Sequence, residues 1–218
     1  NYSVVTETQI KVLLGRIIAE LLTFTPADDS QIAKDIGETL LLSFAPQLRT
    51  LGMGVIQDLL AHPILEIQEI GARILLNHEI STANLPPSII ESLLASPYES
   101  LQVIGIRLFG QLPDDKLLGE DRILLLAMAV NASEEIRKAV KPIIHRLGTA
   151  HTNFAVQMAI DLIELLLTPE NHPGVHSYLL SLLKEDCQGW KTTINKDTTL
   201  KLLQAKSSPA QELGGILL

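Results

Sequence analysis

The chain has 218 residues, enough to bury a sizeable core in one large domain or two small ones. Hydrophobic residues make up 46% of it but aromatics only 4%, so the interior must be built of Leu, Ile, Val and Ala, as in close-packed helix pairs. A net charge of −8 argues against a general nucleic-acid binder. No apolar run approaches the roughly 18 residues of a membrane span, despite a mean hydropathy of +0.25; the longest, Phe154 to Leu167, is broken by Gln157, Asp161 and Glu164.

The charge is uneven: from Lys184 onward five lysines face four carboxylates, and the remainder stands at −9. Cys187 is the only cysteine, which excludes an intrachain disulfide and fits a reducing compartment, so a cytoplasmic protein is expected. The sequence opens at Asn1 without Met and stops at Ile216-Leu217-Leu218 inside an apolar helical pattern, from which we expect an excised segment of a longer protein.

In chain order, Ile10, Leu13, Leu14, Ile17 and Leu21 fall on one stripe and predict a helix over 8–23, capped by Thr6 or Thr8 and ended by Thr25-Pro26. Asp28-Asp29-Ser30 opens a second helix to about Phe44, with its carboxylates favoured by the helix dipole. Pairs follow: 47–61 with 64–78 joined at His62-Pro63, 88–95 with 98–111 joined at Ser96-Pro97, and 118–130 with 134–147 joined at Asn131-Ala132-Ser133. Linkers this short place neighbouring helices antiparallel. Gly148 is expected to end the third pair as a C-terminal glycine. A helix to about Leu167 starts at Thr152 or Asn153 with a narrow polar strip of Gln157, Asp161 and Glu164, and is therefore enclosed on most sides. His172-Pro173-Gly174 opens the next, Cys187 to Trp190 forms a loop, and 197–205 with 209–218 supply the last pair. No segment alternates with period two, so no strand is expected.

The pairs are written repeatedly. Leu59 to Leu76 returns 34 positions later as Leu93 to Gly110, again in blurred form from Met128, and once more from Leu202, where Gln211-Glu212-Leu213-Gly214 echoes Gln68-Glu69-Ile70-Gly71. A period of this size is the signature of a stacked helical-repeat array. The expected fold is all-α: a right-handed solenoid of about five helix pairs in one continuous array over 1–218, with 1–45 a divergent or capping unit and 46–218 the repeats.

The second helix of each unit, best seen in Glu135-Ile136-Arg137-Lys138-Ala139 followed by Ile143, Ile144 and Leu147-Gly148, resembles the HEAT and armadillo-like families. Ser96-Pro97 through Leu112-Pro113-Asp114 is also similar to helical regions of large bacterial proteins, some of which carry a WGR domain. The first resemblance implies a superhelix whose members are mostly protein-binding scaffolds, with a few that bind nucleic acid. Many such units carry an Asp before the second helix and an Arg on it, paired into a ladder. Here the Arg slot reads Gln68, Gln102, Arg137, Gln211 and the Asp slot His62, Ser96, Asn131, Ala205, so amide bonds replace the ladder or none exists.

No catalytic constellation stands out, and no enzyme, cofactor or metal is expected. His172 and His176 lie four apart, a zinc-like spacing, but Pro173-Gly174 places His172 at a cap. No histidine has a Ser or Cys partner at a spacing that can be read from sequence. Gly52-Met53-Gly54 sits in a helical pattern without the Lys of a P-loop. Paired carboxylates at 28–29, 114–115, 120–121 and 134–135 read as helix caps, whereas Glu185-Asp186 falls near a helix C-terminus, where negative charge is disfavoured. Trp190 with Lys191, Lys196, Lys201 and Lys206 is the one aromatic and basic cluster, but five-residue spacing walks around a helix. The expected function is therefore a binding surface for a protein, or for another domain of the same chain, lined by second helices. Its candidate residues are Gln68, Arg73, Gln102, Arg107 and Arg137. The alternative is a nucleic-acid-binding helical-repeat module of the glycosylase kind.

Overall fold

A computed structural model describes residues 6–27, 30–119 and 121–218. Among these the chain is all-helical, with fourteen α-helices, two short 3-10 turns and no strand. The helices are α1 (Glu7–Leu21), α2 (Ser30–Ser43), α3 (Ala45–Leu48), α4 (Met53–Leu60), α5 (Leu65–Leu76), α6 (Pro87–Leu94) and α7 (Glu99–Phe109). There follow α8 (Asp114–Leu117), α9 (Asp121–Ala129), α10 (Glu134–Ala150), α11 (Thr152–Leu166), α12 (Val175–Glu185), α13 (Lys196–Gln204) and α14 (Ser208–Ile216). No helix among the described residues is long and apolar enough to cross a membrane. The chain gathers into two compact units, one up to Leu108 and the other from Phe109, so the boundary falls at the end of α7.

In the first unit Thr6 starts α1 through a capping box: its hydroxyl accepts from the Gln9 N–H at 3.3 Å while the Gln9 Oε1 accepts from the Thr6 N–H at 2.8 Å. The core runs through Leu14, Ile18 and Leu21 of α1, Ile56 and Leu59 of α4, and Ile67, Ile70 and Ile74 of α5. Helix α2 packs on α5, where Gly37 leaves room for the Ile70 side chain. The expected caps Asp28 and Asp29 lie outside the described residues, as does Glu120.

The expected helix over 47–61 is interrupted. It divides into α3 and α4, with Gly52 in a non-helical conformation (ψ 135°) ahead of α4. The break persists because its carbonyls find donors elsewhere: the Glu79 N–H donates to the Arg49 carbonyl at 3.0 Å and His78 Nε2 to the Leu51 carbonyl at 2.8 Å. His78 Nδ1 accepts from the Ile80 N–H, which leaves the proton on Nε2. The expected helix over 118–130 begins later, as α9 from Asp121, and a separate turn of helix, α8, precedes it at Asp114–Leu117.

In the second unit α10 touches α9, α11 and α12, and α12 in turn touches α14. As its composition implied, α11 is enclosed, with Phe154, Ala155, Met158, Ala159, Leu162, Ile163 and Leu166 all buried. Asp161, on its polar strip, pairs with Arg122 of α9. Gly148 does not end a helix as expected: α10 continues to Ala150. A β-carbon at Gly148 would penetrate the backbone carbonyl of Asp186, so this glycine is where the end of α12 presses on α10. Gly148→Ala is expected to lower the unfolding free energy by about 1–3 kcal/mol in urea titration. Gly15→Ala, in mid-α1 with nothing within 4 Å of the added carbon, should raise it by about 1 kcal/mol.

Candidate functional site

The two families of slots seen in the sequence meet in the structure, but inside each hairpin. Gln68 Nε2 donates to the His62 carbonyl at 2.6 Å, and Gln102 Nε2 to the Ser96 carbonyl at 2.6 Å. Arg137 Nη1 donates to the Asn131 carbonyl at 2.6 Å and Gln211 Nε2 to the Ala205 carbonyl at 2.8 Å. Each bond spans six residues and ties the first turn of the second helix to the carbonyl at the end of the first. Three of the acceptor residues also brace the turn with a side chain. His62 Nδ1, Ser96 Oγ and Asn131 Oδ1 accept the N–H two residues on, from Ile64, Tyr98 and Ser133, at 3.2, 3.2 and 2.8 Å. Ala205 has no acceptor and cannot do so.

Three residues beyond the closing side chain comes the closest helix approach. A β-carbon at Gly71 or Gly105 would meet Leu59 or Leu93 Cβ at 2.9 Å, and one at Gly214 the Leu203 nitrogen at 2.8 Å. The third hairpin differs at both positions, with Arg137 in place of Gln and the fully buried Val140 in place of Gly. There the longer guanidinium reaches two carbonyls, Asn131 and Ala132.

Of the five residues expected on a partner surface, Gln68, Gln102 and Arg137 therefore turn donors inward to their own turns; Arg137 is only 7% exposed. Arg73 is half-buried and forms a two-pronged pair with Glu38 of α2. Its hydrogen bond and then its charge hold the Glu38 carboxyl below the usual carboxylate range. Arg107 is exposed and has no ion pair among the described residues.

A polar face that the sequence did not single out lies on α10, where Arg137, Lys141, His145 and Gly148 recur at helical spacing towards α12. Tyr178 donates its hydroxyl to the Arg137 carbonyl at 2.7 Å while its ring lies 5.9 Å from the Arg137 guanidinium. Burial pushes the Tyr178 phenol up, with Asp186 adding and Arg137 opposing. Lys141 Nζ reaches Glu185 Oε2 at 2.7 Å, and His145 Nδ1 lies 2.8 Å from Oδ1 of the buried Asp186. This explains Glu185-Asp186 at a helix C-terminus: the Lys141 ammonium of α10 faces both carboxylates and offsets the dipole penalty. The Glu185 hydrogen bond raises the Lys141 pKa against desolvation, and Lys141 lowers that of Glu185. Cys187 beside them is buried, its thiol pushed up to about 12 by desolvation first and Asp186 second, so it is not a reactive thiolate.

His172 is exposed, whereas His176 is 3% exposed with its ring turned to Ser207. Among the described residues no group of three or more His, Cys, Asp and Glu is placed to hold a metal ion. Trp190 is 1% exposed and donates Nε1–H to the Leu183 carbonyl at 3.0 Å, so it offers no ring face to a base. No family model matches this chain, and neither does any curated protein or solved structure.

Replacing Gln102 by Ala should cost about 1–3 kcal/mol of unfolding free energy, because it leaves the Ser96 carbonyl without its donor. Arg137→Gln should cost less than Arg137→Ala, since an amide restores a donor in that slot. Carbon NMR titration should find Glu38 ionising below the ordinary glutamate range, and Arg73→Ala should return it upward. Because the folded pKa is the lower one, the pair's contribution is complete above the ordinary range and fades as pH falls through the folded value.

Proposed function

We propose that this chain is a helical-repeat scaffold of the HEAT and armadillo-like kind, binding a protein or another domain of its own polypeptide. The observation that carries the reading is the recurring hairpin closure. Gln68, Gln102, Arg137 and Gln211 make the same bond to the carbonyl six residues back, and Gly71, Gly105 and Gly214 mark the same close approach. Repetition of one closed hairpin, rather than of a reactive group, is what a modular binding surface requires. Contacts of α10 with α12 and of α12 with α14 support a stack in which consecutive later helices are neighbours.

Within this reading the surface is borne by what the turns leave free. Arg107 is the candidate with its guanidinium in solvent, and Arg73 is already committed to Glu38. A free guanidinium suits a carboxylate or phosphorylated side chain, which it grips with two parallel N–H bonds.

The test is charge reversal. Arg107→Glu should weaken a captured partner at least tenfold in surface-plasmon titration and leave the thermal midpoint within about a degree, as a solvated side chain implies. Arg73→Glu would set two carboxylates together and lower the midpoint as well. Unchanged affinity in Arg107→Glu removes that residue from the surface. A duplex-DNA mobility shift that appears at low salt and fades at moderate salt would favour the nucleic-acid alternative instead.

A further inference from the structure

The cleft between the α11–α12 loop and the α13–α14 turn has a volume of about 820 Å³ and holds a serine and a histidine in hydrogen-bond contact. Ser207 Oγ lies 2.7 Å from His176 Nδ1, although 31 residues separate them in the chain. That is the distance at which a hydroxyl hands its proton to a base. Three further features set this pair apart from an ordinary buried histidine.

Ser207 is the N-cap residue of α14, yet its hydroxyl accepts no helix N–H. Ser133, the residue in the same slot two positions after Asn131, spends its hydroxyl on the Ile136 N–H at 3.3 Å. At Ser207 the equivalent oxygen is diverted to the imidazole. The first-turn N–H groups of Ser208 and Ala210 have no intrahelical acceptor, and the N-cap side chain does not supply one. Finally, the base is held from behind: Glu170 Oε1 accepts the His176 backbone N–H at 2.8 Å and fixes the start of α12.

We propose that Ser207 is an activated nucleophile with His176 as its general base, and that the cleft takes the ester of a small apolar acid. The lining includes Leu166, Leu167, Pro169 and Pro209, apolar surface for an acyl chain, with Lys206 among its polar residues. Ser207 Oγ attacks the ester carbonyl carbon, and the hydroxyl proton passes to His176 Nδ1. The tetrahedral oxyanion is stabilised by N–H groups at the start of α14. Collapse breaks the carbon–alkoxy bond, and the leaving alkoxide takes the proton from the imidazolium. Water then adds to the acyl-serine, its proton going to His176 and from there to Ser207 Oγ as the acid departs. Glu170 is a positioning residue, acting through the backbone that carries the base.

The experiment is labelling of the whole chain with an alkyl fluorophosphonate, followed by peptide mass spectrometry and by p-nitrophenyl butyrate hydrolysis. The wild-type chain should carry the adduct on Ser207, and Ser207→Ala should lose both adduct and hydrolysis. His176→Asn keeps an acceptor oxygen at the Nδ1 position but no base. It should slow labelling about 100-fold, the scale of general-base assistance, with the thermal midpoint retained. A wild-type chain without a Ser207 adduct, Ser207→Ala hydrolysing as fast as wild type, or equal labelling of His176→Asn would each overturn the assignment. The first two readings do not depend on the histidine variant folding.

Discussion

In four hairpins of the chain the start of the second helix is set by a bond between one side chain and the carbonyl six residues behind it. A helix that ends leaves carbonyls without donors, and a helix that begins leaves N–H groups without acceptors. In these hairpins the two ends meet across a few residues, and a Gln or Arg in the second helix supplies the missing donor. Each such bond contributes only about 1 kcal/mol net, but its directionality fixes where the second helix begins relative to the first. With the helix starts fixed, the apolar faces of α4 and α5, or of α13 and α14, are brought together in one register rather than several. The bracing bond from His62, Ser96 and Asn131 adds a second constraint on the same few atoms.

Closure and helix spacing are coupled. Where a Gln closes the turn, a Gly three residues later lets the helices approach until side-chain and backbone atoms of the partner leave no space for a β-carbon. Where Arg137 closes it, a buried Val140 takes the place of the glycine and the guanidinium bonds two carbonyls in place of one. The third hairpin also meets the helices that follow it. Its second helix, α10, presents Lys141 and His145 to the last residue of α12 and its C-cap, and it receives the Asp186 carbonyl in the space at Gly148. Lys141 thus faces both carboxylates from outside their own helix, which makes a charge pattern unfavourable for an isolated helix acceptable in the folded unit.

Much of this was legible in the residues. The period of 34 positions located the hairpins, and the two slots named in the sequence, Gln68 to Gln211 and His62 to Ala205, are the residues that bond. The direction of the bond was not legible, because a donor in that slot can reach either its own turn or a neighbouring unit. A six-residue offset is the reach of a Gln amide around one turn, and that arithmetic was available. The break at Gly52 was not, since it depends on donors from His78 and Glu79, some 30 residues on. Gly148 looked like a terminator because Gly commonly ends helices; only the position of Asp186 reveals the close approach. Likewise His176 and Ser207 share no motif spacing and are joined only by the packing of α12 against α14.

The fourth of these turns departs from the other three. In the first three turns a side-chain acceptor holds the N–H two residues on, and Ala205 removes that brace from the last. The residue so released is Ser207. A turn that lost one constraint without compensation would be the loosest of the four, yet this one is gripped from α12 by a buried imidazole. If stability alone were at stake, an Asn or Ser at 205 would restore the brace at no steric cost, since 205 is only half-buried. The imidazole contacts the Ser207 hydroxyl, not its N–H, so it does not replace the brace, and the Ser207 side chain makes no cap bond to α14. Local rules broken together at one place, beside a cleft, are what a site demanding chemistry of its residues produces, and that is why Ser207, rather than any of the regular slots, bears the reactive assignment.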